Sequence, residues 1–124
     1  MPIIYVIDCF HKRMWTHAEG LITSSDISVH LDAEARDHGV DLPELVDARA
    51  ASTDITPSQV RQLVNQVFEL AREHPFGPTA IVATNDVAFG MARMFSMLVE
   101  RFGVTIEVFR DRPAAEAWLD QVGS

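Results

Sequence analysis

Short apolar runs alternate along this chain with longer stretches in which apolar residues recur every three to four positions. That alternation limits the fold more than any other feature of the sequence, because it reads as strands alternating with helices. Ile3-Ile4-Tyr5-Val6-Ile7 is β-branched and almost wholly apolar, the mark of a strand buried on both faces. A turn follows at Asp8-Cys9-Phe10-His11. From Lys12 to Glu19 the pattern alternates, with Met14, Thr16 and Ala18 on one face and Trp15 and His17 on the other. A gap this short joins antiparallel strands, since a parallel crossover needs more chain. Gly20 is expected to end the second strand.

Helix signals punctuate the rest. Thr23-Ser24-Ser25-Asp26 supplies N-caps and an early acid for a helix running to His38, with Gly39 as its stop and Ile27, Leu31 and Ala35 on its apolar face. Leu45-Val46-Asp47-Ala48 reads as a short third strand. Thr56-Pro57 places a hydroxyl cap before a first-turn proline, and Val60, Leu63, Val64, Val67, Phe68 and Ala71 then keep helical spacing. Pro75-Phe76-Gly77-Pro78 breaks that helix, and Ala80-Ile81-Val82-Ala83 is a fourth strand. Asn85 or Asp86 caps a helix to about Phe102, stopped by Gly103. Val104, Ile106 and Val108 alternate with polar and aromatic residues in a fifth strand. A last helix from Pro113 turns Ala114, Ala117 and Trp118 inward.

The order ββαβαβαβα predicts an α/β fold: a mixed β-sheet of five strands and four helices, with an N-terminal antiparallel hairpin and right-handed crossovers after it. A length of 124 residues fits one domain, spanning 1–124. The formal net charge of −8 opposes DNA, RNA and anionic membrane surfaces, so no nucleic-acid partner is expected. Cys9 is the sole cysteine, which excludes an internal disulfide and a zinc site built on thiolates. The start of the sequence lacks a signal-peptide pattern and no apolar run is long enough for a transmembrane segment, so a cytoplasmic location is expected.

The Asp86–Phe102 helix stands apart. Val87, Ala88, Met91, Ala92, Phe95, Leu98, Val99 and Phe102 fill a broad inward arc, wider than one sheet contact requires. Met97 falls within the polar stripe of Gly90, Arg93, Ser96 and Arg101, and Phe89 and Met94 flank it. Glycine inside a helix costs ~1 kcal/mol relative to alanine, which close approach of another backbone or a ligand would offset. Phe89, Gly90, Arg93, Met94 and Met97 therefore form a candidate ligand or interface surface, suited to a homodimer. Covering by the chain's own neighbouring segments is the plainer alternative.

The segments Pro57-Ser58-Gln59-Val60-Arg61, His74-Pro75-Phe76-Gly77-Pro78, Asp86 to Phe95, Val108-Phe109-Arg110-Asp111 and Ala117-Trp118-Leu119, in that element order, resemble the SpoIIAA-like group of small bacterial STAS/SEC14-type domains. The resemblance covers nearly the whole chain. It implies a STAS-like mixed sheet and no catalytic site. It also implies one of two roles: regulation through a protein partner, or carriage or sensing of an apolar or lipid-like ligand between helices and sheet. For the second role the apolar pocket candidates are Trp15, Phe68, Met91, Phe95 and Trp118, side chains of a kind that more often simply fill a core. Anti-sigma-factor antagonists of the STAS group carry Asp-Ser-Ser-Gly ahead of the matching helix, with the first serine phosphorylated. Here Thr53-Asp54-Ile55-Thr56-Pro57 stands in that place, with isoleucine where the serine belongs. A phosphorylation switch would fall to Thr56 or Ser58, against the capping role their position gives them.

Other chemistries find little support. The six glycines form no phosphate loop or dinucleotide fingerprint, and neither a G-x-S-x-G elbow nor an H-E-x-x-H pair occurs. Asp8, Asp47, Thr84 and Arg110 sit roughly where a receiver domain holds its site, but no helix fits between the first two strands and Cys9 replaces the second acid. His30, Glu34 and His38 share a helix face at four-residue steps, yet spread over two turns they read as a solvated polar face. No metal, cofactor or enzymatic activity is expected.

If the outer stripe of the Asp86–Phe102 helix mediates self-association, Met97→Glu and Gly90→Leu lower the mass seen by analytical ultracentrifugation and leave the far-ultraviolet circular dichroism unchanged. A wild-type protein that stays monomeric at high concentration, or two variants that unfold, contradicts that reading.

Overall fold

A computed structural model of the protein describes residues 2–37 and 39–122. Its strands are β1 (Ile3–Asp8), β2 (Arg13–Ile22), β3 (Glu44–Thr53), β4 (Thr79–Val82) and β5 (Ile106–Phe109). Its helices are α1 (Ser24–Arg36), α2 (Pro57–Ala71), α3 (Asp86–Val99) and α4 (Arg112–Val122), with a short 3-10 turn at Glu100–Phe102. The strands lie side by side in chain order. β1 is antiparallel to β2, and every later pair is parallel.

That topology dictates the layering. When parallel strands advance in one direction and each crossover is right-handed, the crossover helices fall on the same face of the sheet. Accordingly Leu31 of α1, Val60, Leu63, Val64 and Val67 of α2 and Val99 of α3 share one apolar cluster. The remaining helix, α4, packs Ala115 and Leu119 on the other face against Leu45, Ala80 and Val82.

Local signals account for the helix starts. Thr23 and Thr56 each accept a hydrogen bond from the amide three residues on, while Asp26 and Gln59 reach back to the cap amides, so both helices open with complete capping boxes. Asn85 caps α3 through the Ala88 amide. Gly103 takes a left-handed φ of 78° after the 3-10 turn, the stop expected there.

Several expectations need correction. Gly20 does not end β2. It adopts φ 75° within the strand, and pairing continues from Glu19↔Ala50 to Ile22↔Thr53. β3 is correspondingly longer than Leu45–Ala48, reaching Thr53 because β2 offers it a partner that far. Between the pairs His17↔Asp47 and Glu19↔Ala50 the register shifts, so Ala48 and Arg49 together stand opposite Ala18, a β-bulge. β5 begins at Ile106, two residues later than the alternation suggested. In α4 the buried residues are Ala115 and Leu119, whereas Ala114 and Ala117 face solvent. Asp111 caps that helix through the Ala114 amide at 2.9 Å, and the row that packs on the sheet is Ala115 and Leu119, with Trp118 beside them. α1 ends at Arg36, and His38 lies outside the described residues.

Two contacts fix the ends of this frame. At Gly77 a Cβ would come within 2.5 Å of the Leu42 carbonyl oxygen, so the 74–78 loop lies directly on the loop before β3. On the outer face Asp47 accepts paired hydrogen bonds from the Arg49 guanidinium at 2.9 and 2.8 Å, one from the Arg49 amide at 3.2 Å and a fourth from Arg112 at 3.2 Å, which ties α4 to β3. The Arg49 hydrogen bonds, outweighing burial and assisted by Arg112, lower the Asp47 pKa to about 2. A carboxyl whose folded pKa lies below its unfolded value of 3.8 stabilises the fold above that value and loses the contribution as pH falls through about 2. Asp47→Asn is therefore less stable than the wild type at neutral pH in urea denaturation, and the gap closes between about pH 4 and pH 2. Parallel stability curves across that range contradict the tether.

Candidate functional site

β2 and β3 are ten residues long, β4 and β5 only four. Residues Ala48–Thr53 thus extend past the last residue that pairs with β4, and the helices bridge over more sheet than they fill. Between α1, α2, α3 and the sheet lies a cavity of about 180 Å³. Its floor includes Thr16, Ala18, Val46, Ala48, Ala51 and Ile81. Its roof includes Ile27, Leu31, Val60, Leu63 and Val67, with Ala88, Met91, Ala92 and Phe95 contributed by α3.

The apolar surplus of α3 has its explanation here. Among the helix's residues only Val99 is buried. Ala88, Met91, Ala92 and Phe95 point inward yet stay half-buried, because they face a cavity and not close-packed sheet. Met91 and Phe95, two of the apolar candidates, come together on this wall. Trp15 and Trp118 do not: strand alternation puts Trp15 on the outer face, where both indoles pack on the cluster of Leu45, Ala80 and Leu119. Phe68 lies outside the cavity as well, 42% exposed and 5.0 Å from the Phe102 ring.

The outer stripe of α3 is partly covered by its own chain. Phe89 lies under the Arg110 guanidinium at 3.9 Å, and Arg110 also holds Asp86 at 2.9 Å. Met94 packs against the α1–α2–α3 core cluster. Arg93 is exposed, Met97 is 62% exposed, and a Cβ on Gly90 would meet nothing within 4 Å. Within the chain, then, no close approach requires that glycine. Thr56 is engaged as a cap, its hydroxyl accepting from the Gln59 amide at 3.2 Å, and Ser58 sits exposed in the first turn of α2.

A polar cluster missed by the sequence reading occupies one end of the cavity. Glu34 is 3% exposed and not part of a solvated face. α1 packs that side of the helix onto the start of β3, where Glu44 is buried too. His30 Nε2 lies 3.1 Å from Glu44 Oε2 and 3.8 Å from Glu34 Oε1. Thr16 donates its hydroxyl to Glu44 Oε2 at 2.6 Å. Tyr5 sets its ring edge-on to His30 at 5.4 Å and donates its hydroxyl to Asp37. Among the described residues Glu34 Oε2 is buried without a hydrogen-bond partner. Burial, reinforced by the neighbouring Glu44 charge, pushes Glu34 well above the usual carboxylate range. Burial opposes ionisation of Glu44 as well, but the His30 hydrogen bond and charge, with further hydrogen bonds from Glu34 and Thr16, outweigh it and hold Glu44 below that range. The two carboxyls thus divide their roles, Glu34 keeping the proton and Glu44 the charge. Spacing of four along α1 was a visible signal for His30 and Glu34; the third member comes from another element.

Five parallel-dominated strands, three helices on one face and one on the other make a three-layer α/β frame. No family model and no curated protein matches the sequence. Among solved structures the chain is similar to an uncharacterised protein of the DUF3478 family with a SpoIIAA-like fold from Shewanella loihica PV-4. The TM-score is 0.56 at 17% identity, with 94% of this chain and 93% of that chain covered. This chain has a SpoIIAA-like fold, as its motifs implied. No helix among the described residues is long and apolar enough to cross a membrane.

Thr16→Val keeps the shape of the floor and removes a hydrogen bond to a charged, buried acceptor. It is expected to cost roughly 1.5–3 kcal/mol in chemical denaturation, the range for hydrogen bonds to charged groups. A change near zero means that Glu44 does not depend on Thr16.

Proposed function

We propose that this chain is a non-enzymatic, cytoplasmic module that binds an apolar, lipid-like ligand between the sheet and α1–α3. One observation carries the reading: an apolar cavity of about 180 Å³ under a helix whose inward residues are only half-buried. An enclosed void of that size would cost about 4 kcal/mol at ~24 cal/mol per Å³. Access to solvent lowers that figure but leaves the same apolar walls wet, and a ligand relieves either cost. Cavities of about 150 Å³ with apolar walls accept a benzene ring, so the space holds one ring or a short length of alkyl chain, and because it opens to solvent the rest of a longer apolar ligand can lie at its mouth. The single exposed Cys9 is compatible with a reducing compartment.

A second reading, a regulatory contact or homodimer through the outer face of α3, is favoured by the exposure of Met97 at 62%; Val87, expected on the inward arc, is likewise exposed. Methionine on a surface suits adaptable apolar contacts. The two readings share one helix, and a ligand under α3 could alter what its outer stripe presents.

The test is titration with the neutral fluorophore N-phenyl-1-naphthylamine. Saturable binding with one site per chain is expected, and Ala92→Trp, which fills the cavity from α3, weakens it at least tenfold with circular dichroism unchanged. Absence of saturable binding by the wild type, or equal binding by a folded Ala92→Trp variant, overturns the reading.

A further inference from the structure

His30 and Glu34 stand one turn apart on α1, so both side chains leave the same helix face, and Glu44 meets them from the first residue of β3. One ligating atom from each lies within 4.8 Å of the others. The side chains are only 11%, 4% and 7% exposed. Among the described residues no lysine or arginine forms an ion pair with Glu34 or Glu44. The one cationic partner in reach among the described residues is His30, and Glu34 Oε2 has no hydrogen-bond partner among them. Native proteins rarely leave a buried acceptor in that state, and a bound ion is one of the standard reasons when they do.

We propose that His30, Glu34 and Glu44 bind one divalent transition-metal ion of the zinc class, with an open coordination position facing the cavity. Metal binding displaces the Glu34 proton to solvent, and the donor set is then one imidazole and two carboxylates without thiolate, a combination that suits zinc and its first-row neighbours better than calcium or magnesium, which favour oxygen alone. Ligand atoms on a tetrahedral ion with bonds of about 2.0–2.2 Å stand about 3.3–3.6 Å apart, and the imidazole–carboxylate separations of 3.1 and 3.8 Å bracket that spacing. Supporting contacts are in place: Thr16 orients the Glu44 carboxylate, and Tyr5 packs against the imidazole. Three protein donors leave a further position, and all three residues line the cavity. The site stands whether or not the cavity holds an apolar ligand. If it does, the ion would receive that ligand's polar end.

Two titrations of chelator-treated, full-length protein test the site: zinc by calorimetry and cobalt by visible absorption. One ion per chain is expected, with the intense visible bands of four-coordinate cobalt. His30→Ala and Glu44→Gln each weaken zinc binding at least tenfold, while His17→Ala, on the opposite face of the sheet, leaves it unchanged. No saturable zinc binding by the wild type, or equal affinity in folded variants, overturns the site. Should the variants not fold, the wild-type cobalt spectrum decides: weak octahedral bands, or none, overturn it. N-phenyl-1-naphthylamine binding measured on the same samples keeps the two ideas apart, since a protein that takes up the fluorophore and no metal loses only this inference.

Discussion

The handedness of the parallel crossovers is the constraint on which the rest of this structure depends. Because β2 to β5 lie in chain order, right-handed connections leave α1, α2 and α3 no choice of face. Three helices then cover one side of a sheet whose first parallel pair is more than twice as long as its last. Close packing cannot be met everywhere under those terms. The shortfall collects between α3 and the overhanging end of β3, and it is lined by apolar residues because all of these elements were patterned for a core.

Much of that frame was legible in the residues. Thr23 and Thr56 signalled helix starts through side-chain chemistry that needs no tertiary contact, and both make the capping boxes expected. Ile3–Ile7 and Ala80–Ala83 read as strands from their short apolar runs, but the expected burial of Ile3–Ile7 fails: β1 is the edge strand of the sheet and leaves Ile4 and Val6 exposed. The second half of β3 was silent. Arg49-Ala50-Ala51-Ser52-Thr53 carries no apolar run, and it is extended because β2 pairs with it across a bulge. Gly20 misled for a related reason: a glycine with positive φ marks a twist in a strand as readily as its end.

The site was legible only in part. An apolar arc too wide for one contact was visible on α3, and Met91 and Phe95 do line the cavity. Which aromatic residues share a face with them was not visible, since Trp15 and Trp118 gather on the α4 side through strand alternation and layering. His30 and Glu34 showed their spacing but not their burial. Burial came from Glu44, ten residues beyond Glu34, once α1 lay across the start of β3. A polar residue on a helix reads as solvated until a neighbouring element closes over it, and periodicity within one helix does not report that neighbour.

Methionine methyl NMR separates the inside of α3 from its outside most directly, because Met91 lines the cavity and Met97 faces solvent on the same helix. Addition of N-phenyl-1-naphthylamine to protein labelled at the methionine methyls should shift the Met91 resonance and produce cross-peaks between it and the fluorophore, with Met97 unmoved. Shifts confined to Met97, or none at Met91 at saturating fluorophore, would contradict a binding cavity beneath α3.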